Sequence, residues 1–242
     1  MPALAKKVLR SVGRLGYHYE PVFRPDDDRG VALVALARTL GSLYVAGGMN
    51  PDLPVIVTDP AADAPSWKPF DRPERIGWHN DFSTMEDRPI LSLAWIARGD
   101  PEGGGDWRAA SSEKVLARLA PEQLDETELP FGYSDSEAAR LFPLAASVPE
   151  EPSKKGLRFY GRALREGAIL EYGRVPEKTE RLIAAVEEAA DSVGETLPAR
   201  TGALLVCHNW LSLHDRTDQA TGSGRPLRKS ILCFVRSLHG RA

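Results

Sequence analysis

Hydrophobic residues recur along the chain with the spacing of helices in three segments. Residues 4–12 place apolar side chains on one helical face, and the pattern stops near Gly13. Residues 31–40 repeat it after an acidic cluster at residues 26–28, whose charges suit the amino end of a helix. Residues 179–193 give a third such pattern. We therefore predict three long helices, two near the start of the chain and one near its end.

Short apolar runs between these segments predict β-strands. The strongest candidates are residues 54–60 (PVIVTDP), 90–97 (ILSLAWIA), 203–207 (ALLVC) and 230–237 (SILCFVRS). Residues 157–160 (LRFY) and 168–173 (AILEYG) are weaker strand candidates. Residues 60–73 are rich in proline and predict a loop, and residues 111–119 predict a short helix that begins with serines able to cap it.

Residues 121–155 carry several prolines and acids without a clear period, and we interpret them as a helical or irregular insert over a sheet. Short strands with peripheral helices favour a mainly β fold, as a sandwich or open barrel, over alternating βαβ units. The 242 residues are enough for one large domain, so we expect residues 1–242 to form a single domain that includes this insert.

Composition narrows the classes of partner. A net charge of −3 gives no basic surplus for phosphate contacts, so nucleic-acid binding is not expected. The sequence has no run of about 18 apolar residues that would span a membrane, and its first residues lack a continuous apolar signal core. Cys207 and Cys233 lie in apolar runs and are expected to be packed, reduced thiols. These features predict a cytoplasmic protein.

The five histidines of the chain include candidate ligands for a metal ion. His79 and Asp81 are two residues apart, and in an extended segment such residues point to the same side. One more imidazole would complete a set of two histidines and one carboxylate, which leaves about three adjacent positions open on an octahedral metal ion. The segment ALLVCHNWLSLHDR offers His208 and His214 as the third ligand.

A series of motifs gives the chain a resemblance to a known family. In order, they are GWHNDFSTMEDRPILSLAWIA, PEGGGDWRAAS, LRFYGRAL, a helix, GALLVCHNWLSLHDR and GRPLRKSIL. This order resembles the taurine dioxygenase and clavaminate synthase-like superfamily of Fe(II)/2-oxoglutarate oxygenases over roughly residues 30–238. The resemblance implies a double-stranded β-helix core, of the jelly-roll, cupin-like type.

The resemblance also implies roles for particular residues. It makes His79, Asp81 and His214 the Fe(II) ligands, because an Asn usually stands about five residues before the distal His of the family and Asn209 does so here. The chain departs from the family at two positions. His208 stands where Asp is common, and we interpret it as a packed or substrate-contacting residue; Trp107 stands where a Thr often helps to hold 2-oxoglutarate.

The cosubstrate requires an anchor for its distal carboxylate, and a guanidinium supplies bidentate geometry that an ammonium lacks. Arg225 and Arg228 follow His214 by eleven and fourteen positions, within the interval at which the family places this arginine. The resemblance makes Arg225 the main anchor for 2-oxoglutarate. Arg228 is the second candidate, for the other end of the cosubstrate or for the substrate.

The implied activity is hydroxylation of a small polar metabolite, such as an amino acid derivative, by Fe(II), 2-oxoglutarate and O2. Related halogenases have a small residue in place of the carboxylate, so Asp81 argues against halogenation. Two alternatives stay open: a metal-binding β-barrel homologue without turnover, and a zinc-dependent hydrolase that uses the same three ligands. The sequence leaves the oligomeric state open as well, with a homo-oligomer as one option.

Overall fold

The computed structural model describes residues 1–23, 29–58, 74–101, 103–124, 128–219 and 228–239. The helices in these ranges are α1 (Pro2–Leu15), α2 (Val31–Leu40), α3 (Ser112–Leu116), α4 (Pro121–Leu124), α5 (Gly161–Tyr172) and α6 (Glu177–Val193). The strands are β1 (Tyr17–Glu20), β2 (Gly41–Leu43), β3 (Val55–Thr58), β4 (Leu91–Arg98), β5 (Trp107–Ser111), β6 (Leu129–Phe131), β7 (Arg140–Phe142), β8 (Ala145–Val148), β9 (Glu151–Leu157), β10 (Glu195–Leu197), β11 (Leu204–His208), β12 (Ser212–Arg216) and β13 (Lys229–Leu238). The acidic cluster at 26–28 and the loop predicted at 60–73 lie outside the described residues.

The larger sheet is antiparallel and has the strand order β1-β11-β4-β13-β2, with β3 also paired to β13. Successive side chains of β4 alternate between its two faces. Leu91, Leu93 and Trp95 pack with residues of α1 and α2, whereas Ile96 packs on the other side. Because both faces are covered, β4 is apolar along most of its length instead of alternating with polar residues.

The smaller sheet has the order β10-β5-β12. Its outer face packs Leu213 of β12 against Ile183 of α6. Its inner face packs Trp107 of β5 against Ile96 and Leu205 of the larger sheet. The two sheets therefore face each other across an apolar layer and carry helices on their outer sides, which confirms the predicted mainly β fold with peripheral helices.

The prediction of helical or irregular structure for residues 121–155 is wrong for nearly half of its described residues, which form strands. Of its described residues only the four of α4 are helical, and the remainder contains the antiparallel pairs β6–β7 and β8–β9. Strand β9 buries only Gly156 and Leu157 of its seven residues, so no alternation of apolar and polar residues announces it. LRFY is only partly strand, because β9 ends at Leu157 and Tyr160 adds a single bridge to His79.

The strand predicted at residues 168–173 (AILEYG) is also wrong, because this segment forms the last turn and a half of α5. Helix α5 buries Ala163, Leu164, Gly167 and Ala168, which lie on one helical face, while Ile169 is exposed. A short apolar run cannot be assigned to helix or strand by periodicity alone. The glycine in the helix allows close packing on β6, since a Cβ at that position would lie 2.4 Å from the carbonyl oxygen of Pro130.

The remaining predicted elements are confirmed. The three long helices correspond to α1, α2 and α6, the short one to α3, and the four strong strands to β3, β4, β11 and β13. Cys207 and Cys233 are buried free thiols, as expected. Among the described residues, no helix combines the length and the apolar character needed to cross a membrane.

Candidate metal centre

His79 and His214 lie directly opposite each other across a short antiparallel bridge. The amide of His79 donates to the carbonyl of His214 at 2.9 Å, and the amide of His214 donates back to His79 at 3.0 Å. His214 is the middle residue of β12, so the bridge extends the smaller sheet by one segment. Residues that pair in this way project their side chains to the same side. The imidazole centroids are accordingly only 4.3 Å apart.

Asp81 brings a carboxylate to the same point. Its Oδ1 lies 3.9 Å from Nε2 of His79, and its Oδ2 lies 3.5 Å from Nε2 of His214. The ligand atoms of the three residues all lie within 4.8 Å of one another. Ligand bonds of roughly 2.1 Å place neighbouring donors on one metal ion about 3–4 Å apart, so the separations fit a single ion.

The hydrogen bonds around the three side chains leave donor atoms free for a metal ion. Nδ1 of His79 lies 2.8 Å from the carbonyl oxygen of Gly77, which can only accept, so Nδ1 carries the proton and Nε2 keeps its lone pair. Oδ2 of Asp81 is buried without a hydrogen-bond partner among the described residues. A buried oxygen of this kind is costly unless something binds it. The donor set therefore fits a divalent metal ion.

Burial and mutual proximity shift the pKa values of all three groups. Burial and, after it, the neighbouring His214 lower the pKa of His79 to about 4, while Asp81 opposes the change. Burial would raise the pKa of Asp81, but the two imidazoles hold it well below its usual value. Burial would lower the pKa of His214, but Asp81 and then Cys207 raise it well above the usual value. The carboxylate of Asp81 is thus ionised and His79 is neutral near pH 7, whereas His214 would release a proton when a metal ion binds.

Hydrogen bonds between two asparagine side chains and the backbone fix the chain around His79 and Asp81. The side chain of Asn80 donates to the carbonyl of Ser212 at 2.7 Å and accepts the amide of Phe159 at 2.8 Å. The side chain of Asn209 donates to the carbonyl of Asp81 at 2.7 Å. These two amides tie residues 79–81 to β12 and to the turn before it, so they account for the asparagine that the sequence places before the distal histidine.

Asp215, which sequence analysis did not single out, supports His79 from behind. Its buried carboxylate accepts the amide of Gly77 at 2.9 Å and also binds Arg75. The carbonyl of Gly77 in turn accepts the proton of His79. The partners lie about 140 positions apart in the chain, so no local spacing could have revealed the contact.

His208 lies outside the group of three. It is buried, and its Nδ1 accepts the amide of Trp210 at 3.2 Å. Tyr160 is the nearest aromatic neighbour of the metal-binding candidates, with its ring centroid 5.3 Å from that of His79. Tyr133 lies close enough to Asp81 for that carboxylate to help raise its pKa, although burial is the larger cause. The two tyrosines border the space beside the metal ligands.

Of the predicted cosubstrate anchors, Arg225 lies outside the described residues and Arg228 lies immediately before β13. Arg228 is buried, donates to the carbonyl of Gly105 at 2.6 Å, and has its guanidinium carbon 5.7 Å from the ring centroid of Trp107. Burial lowers its pKa to about 9, and the neighbouring Arg216 contributes. Trp107 pairs with Arg216 across β5 and β12.

Arg216 and Arg228 form an arginine pair that lies next to the metal-binding candidates along the direction of β12. Arg216 follows His214 by two residues on β12, and two residues of a strand span roughly 7 Å. Both guanidinium groups are buried, at 2% exposure for Arg216 and 7% for Arg228. The space between the two sheets thus contains the three metal-binding candidates and, beside them, the positive charges of Arg216 and Arg228.

Several solved structures are similar to this chain over nearly its whole length. An asparagine oxygenase in complex with Fe(II), 2S,3S-3-hydroxyasparagine and succinate matches with a TM-score of 0.74 and 18% identity, over 97% of this chain and 79% of that one. The non-haem iron oxygenase OrfP in complex with Fe and alpha-ketoglutaric acid matches with a TM-score of 0.72 and 17% identity, over 97% of this chain and 82% of that one. PvcB, an Fe, alpha-ketoglutarate dependent oxygenase from an isonitrile synthetic pathway, matches with a TM-score of 0.68 and 15% identity, over 96% of this chain and 79% of that one.

No protein-family model and no curated protein matches the chain. At identities of 15–18%, the similarity establishes the fold and leaves activity to be argued from the site. It confirms, at the level of the fold, the resemblance first indicated by the ordered motifs. The chain has the fold of the iron-dependent oxygenases described above.

Proposed function

We propose that this protein is an Fe(II)- and 2-oxoglutarate-dependent oxygenase that hydroxylates a small polar metabolite. The observation that carries the proposal is the convergence of His79, Asp81 and His214, whose ligand atoms lie within 4.8 Å of one another. The two facing sheets would form the double-stranded β-helix core of this enzyme class. Nε2 of each imidazole and the carboxylate of Asp81 would hold Fe(II) on one face of its coordination sphere.

A bound Fe(II) with 2-oxoglutarate and O2 would supply the oxidation, with succinate and CO2 as co-products. The chain's part is to keep three adjacent metal positions open and to orient the molecules that occupy them. Gly77 and Asp215 hold His79 with Nε2 directed to the centre. Asp81 occupies a metal position that a halide would otherwise take, so the proposal is hydroxylation and not halogenation.

We propose Arg225 as the main anchor of the distal carboxylate of 2-oxoglutarate, with Arg228 as the second candidate. The position of Arg228 beside Arg216 and Trp107 supports a site for an anion between the sheets. Arg216 lies two strand residues, or roughly 7 Å, from His214, and this separation suits a five-carbon dicarboxylate that chelates the metal at its other end.

An amino acid derivative is the proposed substrate class. Two proteins of this fold were solved with 3-hydroxyasparagine and with (3S)-hydroxy-L-Arg, respectively. Tyr133 and Tyr160 would border such a substrate on the side of Asp81. Arg162 is already paired with Glu166 at 2.6 Å, so we do not propose it as a contact for an anionic substrate.

The experiment that tests the function is an anaerobic titration of the metal-free protein with Fe(II), followed by 2-oxoglutarate. We expect a weak visible charge-transfer band when the cosubstrate chelates the iron. His79→Ala and His214→Ala should lose Fe(II) binding, because each removes one of three ligands, whereas His239→Ala, near the carboxyl end, should retain both binding and band.

The outcomes separate the alternatives. A folded protein that binds iron without the band would contradict the proposed oxygenase and favour the zinc hydrolase or the homologue without turnover. A band that appears without consumption of 2-oxoglutarate in the presence of any amino acid derivative would favour the homologue alone. Full iron affinity in His214→Ala would remove the ligand assignment itself.

A further inference from the structure

A second cluster of charged side chains lies around a cavity that the three metal-binding candidates do not line. The cavity has a volume of about 720 Å³. Its charged lining residues are Arg88, Arg140, Arg158 and Glu86, and its aromatic ones are Trp210 and Phe142. We call it the arginine pocket.

Two of its guanidinium groups are buried and face neutral partners. Arg88 is 3% exposed and Arg158 is 6% exposed. Arg158 donates to the carbonyls of Ser83 and Met85 at 2.8 and 2.7 Å. Arg88 makes only long contacts, at 3.4 Å to the carbonyl of Leu157 and 3.5 Å to the side chain of Asn80. In the part of the chain that the structure describes, neither arginine has a carboxylate within 4 Å.

This arrangement leaves two buried guanidinium groups without a carboxylate in direct contact, and the carboxylate of Glu86 acts on Arg158 only at longer range. Burial, together with the nearby Arg158, lowers the pKa of Arg88 well below its usual value, and burial lowers that of Arg158 to about 10. Nε of Arg88 has no hydrogen-bond partner among the described residues. A buried charge of this kind is strongly unfavourable unless an opposite charge meets it.

Aromatic rings hold the guanidinium planes of Arg88 and Arg158 in place. The guanidinium carbon of Arg88 lies 3.6 Å from the ring centroid of Trp210, and that of Arg158 lies 3.8 Å from the ring centroid of Phe142. Such stacking favours a cation and fixes its orientation, but the ring face carries only a partial negative charge. The guanidinium groups are therefore oriented, while their charge remains available to a ligand.

We propose that the arginine pocket is a binding site for a small organic dianion, recognised through its carboxylate or phosphate oxygens. Three arginines and one glutamate give the lining a net formal charge of two positive units, which a dianion would balance. Guanidinium groups match the oxygens of carboxylates and phosphates in a bidentate manner. Trp210 and Phe142 would pack against the carbon skeleton of the ligand. The site is independent of the proposed oxygenase activity.

The test is isothermal calorimetry of the metal-free protein with inorganic phosphate and, separately, with malonate, at constant ionic strength set by sodium chloride. We expect saturable binding with one site per chain for at least one of the two, and the stronger of them identifies the oxyanion. Because Arg140 is exposed at the rim, Arg140→Ala should fold normally and weaken binding by about tenfold.

Three variants fix the location of the binding site. Arg174→Ala, an exposed arginine between α5 and α6 that does not line the pocket, should bind as the wild type does. His214→Ala should also bind normally, because His214 does not line the pocket. Trp210→Phe should abolish most of the change in tryptophan fluorescence that the anion produces in the wild type.

Three results would overturn the proposal. The first is the absence of saturable heat with both anions. The second is equal weakening by Arg140→Ala and Arg174→Ala, which would indicate general attraction to positive charge. The third is loss of anion binding in His214→Ala, which would place the anion at the metal centre instead.

Discussion

Asp215 shows how one buried carboxylate can set the orientation of a metal ligand that it does not touch. It accepts the amide of Gly77, and the carbonyl of the same glycine accepts the proton on Nδ1 of His79. The orientation of the imidazole and the position of its free lone pair therefore depend on a peptide unit that Asp215 holds. Partners at this distance from a metal commonly affect affinity nearly as much as some ligands do.

We expect Asp215→Ala to weaken Fe(II) binding by roughly 10–100-fold while the protein stays folded. Asp215→Asn keeps an oxygen for the amide of Gly77 and should recover part of the loss. Asp191→Ala is the matched control, because Asp191 also pairs with Arg75 but is not bonded to Gly77. Anaerobic Fe(II) titration measures the three affinities, and equal losses in Asp215→Ala and Asp191→Ala would contradict the positioning role.

The two candidate anchors of the cosubstrate can be separated by the same kind of measurement. Arg225→Ala should weaken 2-oxoglutarate binding by roughly 10–100-fold and leave Fe(II) affinity nearly unchanged, because a charge-assisted bidentate contact is lost. Arg236→Ala, an exposed arginine on β13, should affect neither ligand. A large loss for Arg228→Ala with little for Arg225→Ala would mean that Arg228 is the main anchor.

At the scale of elements, the packing of α5 on β6 depends on one glycine. The backbone of α5 approaches β6 so closely that a Cβ at Gly167 would lie 2.4 Å from the carbonyl oxygen of Pro130 and 2.8 Å from the amide of Gly132. Neither backbone atom can move aside without displacing the strand. The same close approach explains why glycine occurs within a helix at some cost in helical propensity.

We expect Gly167→Ala to lower the free energy of unfolding by about 1–3 kcal/mol, because overpacking outweighs the better helical propensity of alanine. Gly47→Ala is the control, since a Cβ there would meet no atom within 4 Å and the residue is exposed. Its stability should stay within about 0.5 kcal/mol of the wild type. Chemical denaturation gives both values, and an unchanged or raised stability for Gly167→Ala would show that α5 and β6 can separate without cost.

The elements that sequence analysis identified are those with long or fully buried patterns. Helix α6 and strand β4 are of this kind. The elements it missed are short or exposed: β9 presents mostly polar side chains, and the end of α5 resembles a strand only because three apolar residues stand together. Their structure is decided by contacts with distant segments, and local pattern carries little of that information.

At the scale of the whole molecule, the candidate metal centre joins segments that lie far apart in the chain. Alternation alone brought His79 and Asp81 together, but the choice of His214 over His208 came from the order of the family motifs. The structure brings His214 opposite His79 and leaves His208 at the end of β11, where it pairs with Leu91 of β4. The contributions of Arg216 and Asp215 could not be predicted, because each acts through a contact that only the paired strands create.

A metal ion that links residues 79–81 to β12 should stabilise the fold, because the unfolded chain cannot hold the three ligands together. At a free Fe(II) concentration 100 times the dissociation constant, linkage gives about 2.7 kcal/mol. For a chain of this size, that corresponds to a rise of roughly 5–10 °C in Tm. Anaerobic thermal unfolding with Fe(II) and with a chelator measures the difference, and Asp81→Ala should remove most of it. An equal rise in Tm for Asp81→Ala would mean that the stabilising iron binds elsewhere in the protein.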